Sequence, residues 1–383
     1  MEIYLDNSAT TKPYEEVVEE MVKALTTEYG NPSSLHKKGI EVDRKIKDIR
    51  QNIARSLGVK DKEIFFTSGG TESNNTIIRG VCHNFRKTKS HIISTTIEHP
   101  SVLATLADLE KEGFEITLLE VDESGKINIE DVKKAIKSST ILISVMHVNN
   151  EVGSIQPIEE IGKYLKTLDE KIYFHVDCVQ SYTKLRFRPT RYNIDFMTVS
   201  GHKFHGPKGI GFMYVKENSK MKPIITGGGQ ESSIRSGTEN VPGIYGLGKA
   251  VEIMNKDLDD KIQKIQNLKV LLKEEILKNI DGVKINSPED GICHILNVSF
   301  ENIRGEVLLH FLEQKGVYVS TGSACSSKKK GSHVLNAMKL KSEEIEGAIR
   351  FSLSDFNTEE EILETVKILK DSINDLRMII KRR

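Results

Sequence analysis

The sequence predicts an α/β fold, with a large domain on a mostly parallel seven-stranded sheet and a smaller α+β C-terminal domain. Two observations carry this expectation. From about residue 60 to about residue 215, short apolar strands alternate with helical patterns, as a parallel sheet covered on both faces requires. Beyond a long helical stretch from about Ile244 to Asn279, the pattern becomes strand, helix, strand, loop, helix, strand, helix.

In chain order the first strands are Glu63–Thr67, His91–Thr95, Glu115–Glu120, Thr140–Met146, Ile172–Val176, Asp195–Val199 and Gly209–Val215. Helical patterns fill most gaps, notably Glu72–Arg86, Pro100–Gly113, Ile129–Lys137 and Ile158–Leu168. The later strands are Ile292–Phe300, Val317–Ser320 and Ala348–Ser354, and the last helix is Glu359–Arg377. The expected division is 13–254 for the large domain, with 1–12 and 255–383 forming the small one. No internal repeat or low-complexity linker interrupts this plan, and Lys328–Lys330 is the sole charge block.

Composition narrows the function classes. The chain has 383 residues, 38% hydrophobic and 29% charged, as in an ordinary soluble protein. Its 55 Lys and Arg balance 55 Asp and Glu, so no net field draws it to nucleic acid or anionic lipid. The longest apolar stretch, Ile141–Val148, is too short to span a bilayer. The N-terminus lacks a basic start and an apolar core, so no signal peptide is read and the cytoplasm is the expected location. The four cysteines are far apart with no Cys-x-x-Cys pair, which argues against a disulfide framework and an all-cysteine metal site. Cys82, Cys178 and Cys293 lie in apolar or strand-like segments and read as buried thiols. Cys325 has different neighbours.

Thr67-Ser68-Gly69-Gly70-Thr71-Glu72-Ser73-Asn74 runs from strand to helix. Small residues at Gly69 and Gly70 let the backbone approach a ligand, the helix N-terminus offers unpaired N–H groups to an anion, and Thr71 adds a hydroxyl. An ordinary helix cap explains the segment equally well in isolation. Neither nucleotide pattern, the Walker loop nor G-x-G-x-x-G after a strand, is present. Two later strands each end in a reactive group. Asp177 closes Tyr173-Phe174-His175-Val176, where burial is costly without a cationic partner. Lys203 follows Val199-Ser200-Gly201-His202, where desolvation favours a nucleophilic amine. Read alone, Asp177 is a turn residue and Lys203 a surface lysine. Together with the cradle they fit pyridoxal phosphate, which needs a Schiff-base lysine, a carboxylate for its ring nitrogen and a phosphate site. His99, at the end of another strand, is placed to stack on the ring and to move protons.

Eight segments in order resemble the cysteine desulfurases of iron–sulfur cluster assembly, pyridoxal-phosphate enzymes of the class V aminotransferase type. They are Tyr4–Thr11, Thr67–Asn75, Glu98-His99-Pro100, Asn149–Gly153, His175-Val176-Asp177, Ser200–Lys203, Arg235–Asn240 and Gly322–Cys325. The resemblance covers nearly the whole chain. It implies the fold-type I architecture, aspartate aminotransferase-like, and a homodimer. It makes Lys203 the covalent anchor of the cofactor, pairs Asp177 with the pyridine nitrogen, and gives Gln180 the ring hydroxyl and His99 the ring face. Thr71, Ser200 and His202, beside Gly70, hold the phosphate, with Thr238 reaching that of the neighbouring subunit. Asn149 and Arg350 hold the substrate carboxylate, a role suited to a guanidinium fork.

Cys325 discriminates among enzymes of this fold. It lies in a small, polar loop with Lys328–Lys330 nearby, a composition that favours mobility and a thiolate. This resembles the desulfurase group with a mobile catalytic-cysteine loop. The implied reaction starts when L-cysteine displaces Lys203, which takes the α-proton. Cys325 attacks the substrate sulfur, L-alanine leaves, and an acceptor removes sulfur from the Cys325 persulfide. A cluster scaffold and a tRNA-thiolation enzyme fit equally as acceptors; no direct nucleic-acid contact, membrane association or metal is expected. Plain transamination needs no such thiol, and a non-catalytic relative would have no use for Lys203, Asp177 and Cys325 together. Two features depart from the family pattern: Ser232-Ser233 stands where the family usually carries Arg or another bulky residue, and the Lys328–Lys330 run is not a hallmark.

Overall fold

The computed structural model describes residues 2–321 and 331–381. Gly322, Cys325 and Lys328–Lys330 lie outside the described residues.

The chain begins with β1 (Ile3–Tyr4), then α1 (Glu15–Thr26) and α2 (Lys37–Leu57). The alternation pattern assigns nothing to these two helices. Helix α2 buries Val42, Ile46, Ile49, Ile53 and Leu57 on one stripe and ends at Gly58, whose φ of 67° suits a left-handed cap. The alternating part follows: β2 (Ile64–Thr67), α3 (Gly70–Phe85), β3 (His91–Thr95), α4 (Pro100–Lys111), β4 (Glu115–Leu119), α5 (Ile129–Ala135), β5 (Thr140–Met146), α6 (Ile158–Leu165), β6 (Tyr173–Asp177), β7 (Phe196–Ser200) and β8 (Gly211–Val215). The seven strands form one sheet in the order β2-β8-β7-β6-β5-β3-β4. Strand β8 is antiparallel to both neighbours and every other pairing is parallel. The expected fold class is therefore observed. Strands β2 and β5 to β8 are buried throughout, as strands covered on both faces must be.

The expected single helical stretch from Ile244 to Asn279 is two helices, α7 (Val241–Lys256) and α8 (Leu258–Asn279). They break at Asp257, where the backbone leaves the helical region (φ −130°, ψ 47°). The rest comprises β9 (Val283–Ile285), β10 (Ile295–Phe300), α9 (Gly305–Gln314), β11 (Val317–Tyr318), α10 (His333–Ala337), α11 (Ser342–Glu346), β12 (Ala348–Ser352) and α12 (Glu359–Lys381). Strands β12, β10 and β9 make an antiparallel sheet, and β1 pairs in parallel with β11. A hydrophobic cluster of its own joins Ile3 and Leu5 to α8, α9, α12 and this small sheet. Cys82, Cys178 and Cys293 are buried free thiols, as read from their neighbours.

One turn is strained. Glu231, Ser232 and Ser233 take φ of 45°, 54° and 66° in succession, a run that disfavours residues with a Cβ. The Glu231 carboxylate explains the turn: it accepts from Arg50 in a bidentate pair at 2.7 and 2.8 Å and from the Phe66 N–H, closing the outer edge of β2. Ser233→Gly is expected to relieve strain at no cost to those bonds and to stabilise the fold by about 1 kcal/mol, read as a higher unfolding midpoint.

Candidate active site

The C-terminal ends of β2, β6 and β7 converge where a parallel sheet gathers its ligands. Strand β2 runs into α3 through Ser68 and Gly69, bounding a cavity of about 360 Å³. Gly69, Gly70, Thr71, Ser200 and His202 line it, with Ala9, Thr10 and Lys208 completing the wall. Gly69 has φ 148° and ψ −173°, a conformation reserved for glycine. A Cβ at Gly70 would meet Val179 Cγ2 at 2.9 Å. The cradle is thus built from bare backbone at the positive end of a 16-residue helix. Glu72, in the same first turn, is neutralised as an obstacle. Burial alone would raise its pKa, but Arg235 (2.8 Å) and the Ser68 N–H outweigh that and hold it low. His202 is pushed down to about 4, first by burial and then by Lys203, Lys208 and Lys184. It is a neutral ring in the cavity wall, which Lys208 also lines.

Asp177 closes β6 and is 6% exposed. Its oxygens accept from two neutral donors, the Val179 N–H (3.0 Å) and Asn74 Nδ2 (2.8 Å). A buried carboxylate so held is set to receive a cation such as a protonated pyridine nitrogen. Lys203 ends the short turn Gly201–Lys203 after β7. Its Nζ donates to the carbonyls of Ser8 (2.6 Å) and Ala9 (2.8 Å), and its own carbonyl accepts from buried Lys184 Nζ (2.8 Å). His99 caps α4, its Nδ1 accepting the Ser101 N–H at 3.1 Å. Burial foremost lowers its pKa, with Lys203 and His333 adding to that and Asp177 opposing. Gln180 is buried, donating from Nε2 to Ser8 O (3.0 Å) and lying 3.1 Å from His294 Nε2 through Oε1. Cradle, carboxylate, amine and imidazole therefore meet at one edge of the sheet, and this donor set fits pyridoxal phosphate.

Arg350 on β12 is buried, not on the surface. It pairs with Asp6 (2.7 Å) and donates to Asn150 O (2.9 Å), while its Nε has no hydrogen-bond partner among the described residues. Asn149 is fully buried and shapes the turn after β5. Its Oδ1 accepts from the Glu151 and Val152 N–H groups, and its Nδ2 donates to Ile97 O (3.1 Å). Thr238 lies apart from the cradle of its own chain, in an adjoining pocket of about 220 Å³ with Arg235 and Gly237.

Several contributors were not singled out from the sequence. Asn74 lies within the Thr67–Asn75 segment, one turn into α3, and that spacing alone was a signal that it returns to the sheet edge. Ser101, His294 and Lys184 carry no such signal. Glu98, beside His99, is fully buried: Oε1 accepts from Thr95 Oγ1 (2.7 Å) and the Met146 N–H (2.9 Å), and Oε2 is unpartnered among the described residues. Burial drives its pKa up to about 8. Below the ordinary glutamate value of 4.5 the carboxyl is protonated in both folded and unfolded chains; up to about 8 only the folded chain keeps the proton. Stability thus declines as pH rises through that window and levels off above it. Glu98→Gln is expected to flatten the decline, so thermal scans should show a larger gain over the parent at pH 8 than at pH 5.

Fold and site together define a pyridoxal-phosphate enzyme of fold-type I. A model of the aminotransferase class-V family matches residues 3–364. The cysteine desulfurase IscS of Dictyoglomus turgidum is 44% identical over 380 residues, spanning 99% of this chain and 96% of the relative. That of Methanosarcina thermophila is 44% identical over 377 residues, spanning 98% and 93%. Among solved structures, a NifS-like protein superposes with a TM-score of 0.93 at 39% identity, covering 98% of this chain and all (100%) of the other. SspA in complex with cysteine matches at a TM-score of 0.83 and 37% identity, covering 93% and 100%. The chain belongs to the class-V aminotransferase family, in its cysteine desulfurase branch.

Proposed function

We propose that the chain removes sulfur from L-cysteine, giving L-alanine and a persulfide on Cys325. The observation that carries this reading is the buried Asp177, held by neutral donors at one strand end with Lys203 at the next and the cradle beside them. The cysteine-bound relative at 37% identity supports the substrate. Pyridoxal phosphate, held covalently by Lys203, supplies the electron sink that labilises bonds at the substrate α-carbon. Asp177 would hold the ring proton that makes the sink effective, Gln180 would donate to the ring hydroxyl, and His99 would cover the ring face. Gly70, Thr71, Ser200 and His202 would bind the phosphate. Arg350, with Asn149, would hold the substrate carboxylate and so aim the α-proton at Lys203 Nζ, which accepts it. The Cys325 thiolate forms a bond to the substrate sulfur as the carbon–sulfur bond breaks. The electron pair of that bond stays with the alanine skeleton, which is then protonated.

A division into 13–254 and 1–12 with 255–383 is supported by the separate hydrophobic cluster of the small sheet. A homodimer is supported by the exposed apolar stripe Val18, Val22 and Leu25 on α1, continued by Tyr29 and Leu35; Thr238 would then serve the partner's cradle. A sulfur-acceptor protein, either a cluster scaffold or a tRNA-thiolation enzyme, would take the persulfide. A cytoplasmic location fits these acceptors, and among the described residues no helix is long and apolar enough to cross a membrane.

Purified protein supplied with L-cysteine and a thiol reductant should release alanine and sulfide in equal amounts. Cys325→Ala should release almost no sulfide while keeping the bound cofactor. If the parent protein, with cofactor bound to Lys203, yields neither product, the substrate assignment fails.

A further inference from the structure

Asn74 is 1% exposed, and its Nδ2 donates both to Asp177 Oδ2 (2.8 Å) and to Ser101 Oγ (2.9 Å). An ionised carboxylate only accepts, so the amide must turn its nitrogen toward Asp177, and both amide hydrogens are then committed. Ser101 Oγ accepts from Asn74, leaving its one hydrogen for His99 Nδ1, 2.8 Å away. The Ser101 N–H reaches the same ring nitrogen at 3.1 Å. His99 Nδ1 thus accepts two hydrogens and carries none, and the neutral ring bears its proton on Nε2. The arrangement strands the other end of the amide: Asn74 Oδ1 is buried with no hydrogen-bond partner among the described residues. A purely structural amide would relieve that by turning over, which the carboxylate forbids.

We propose that Asn74 and Ser101 are positioning residues that relay the ionised state of Asp177 to His99, locking the imidazole as its Nε2–H tautomer. The idea rests on the cofactor-site reading of Asp177 and His99 and says what holds them in register. In that tautomer His99 offers a hydrogen at Nε2 and has no free lone pair, so it donates and does not act as a base. Acceptance of the substrate α-proton is left to Lys203. Among the described residues, the charged and titratable groups facing His99 are Asp177 from β6, Lys203 after β7 and His333 of α10. Its lowered pKa, set first by burial, keeps the ring neutral.

The test is nitrogen NMR of the holoenzyme labelled at histidine, with the His99 signals assigned by their loss in His99→Gln. The parent protein should show one neutral tautomer, protonated on Nε2. Ser101→Ala, which leaves only the longer backbone N–H contact to Nδ1, should give a mixture of tautomers, and Ser101→Thr, which keeps the hydroxyl, should restore the single form. Asn74→Leu should act in the same direction and weaken retention of pyridoxal phosphate about tenfold. The proposal is overturned if the parent carries the proton on Nδ1, or if Ser101→Ala keeps the parental tautomer with cofactor bound. Ser101→Ala decides alone should Asn74→Leu not fold. Because neither readout uses L-cysteine, a failure of the desulfuration reading would show separately, as a parental tautomer in an enzyme that makes no alanine.

Discussion

Lys203→Ala is expected to lower alanine formation from L-cysteine at least about 10⁴-fold while the cofactor still enters the site. The size follows from the two tasks proposed for this one amine, covalent attachment and acceptance of the α-proton. The surroundings are arranged for a reactive amine. Lys203 Nζ donates to the carbonyl oxygens of Ser8 and Ala9, and its own carbonyl accepts from Lys184 Nζ. Lys184 is itself pushed down to about 7, chiefly by burial, with Lys203 among the groups that add to the effect. Lys203→Arg should not rescue, since a guanidinium neither loses its proton nor attaches. Borohydride treatment supplies a second readout: it should fix the cofactor to the parent chain and not to Lys203→Ala. Covalent fixation persisting in the variant would mean that another lysine, Lys184 foremost, is the anchor.

Much of this was legible in the sequence because strand ends advertise themselves. Asp177 and Lys203 each terminate an apolar run, and in a parallel sheet all such ends lie on one edge. Thr71 and Gly70 likewise follow from a strand entering a helix through glycines. The β2-to-β8 succession was readable for the same reason, with bounds off by one or two residues at half of the strand ends. Helices α1 and α2 were missed although Val42, Ile46, Ile49, Ile53 and Leu57 recur at helical spacing, because their charged residues dilute the apolar signal and they precede the alternating part. The break at Asp257 was invisible: the helical pattern continues across it without glycine or proline. The partners that orient the site were the least legible. Ser101 meets Asn74 from another helix, His294 meets Gln180 across 114 positions, and Asp6 meets Arg350 across 344. Such pairs are set by how β1 and the small sheet pack beside the large one, which no local pattern encodes.

That last contact carries the second large effect. Arg350→Leu is expected to reduce kcat/KM for L-cysteine about 10³-fold, mostly through KM, with the bound cofactor's absorption nearly unchanged. The guanidinium is held in place before substrate arrives: one amino group reaches Asn150 O, the other Asp6 Oδ1, and Nε stays unpartnered among the described residues. Of its five N–H donors, three therefore remain to receive a carboxylate as a fork. Asp6 has a second use, since Tyr4 OH donates to its carbonyl (3.2 Å) and to Thr10 O (2.9 Å), tying the strand that supports Arg350 to the segment that lines the cradle. The β12 backbone around Arg350 also pairs with Ser320, just before the segment that contains Cys325. Arg350→Lys keeps the charge and the Asp6 pair but loses the fork, so it should recover only part of the loss. If Arg350→Leu instead lowers kcat with KM unchanged, the guanidinium acts on the reacting atoms through this framework and is not the carboxylate clamp.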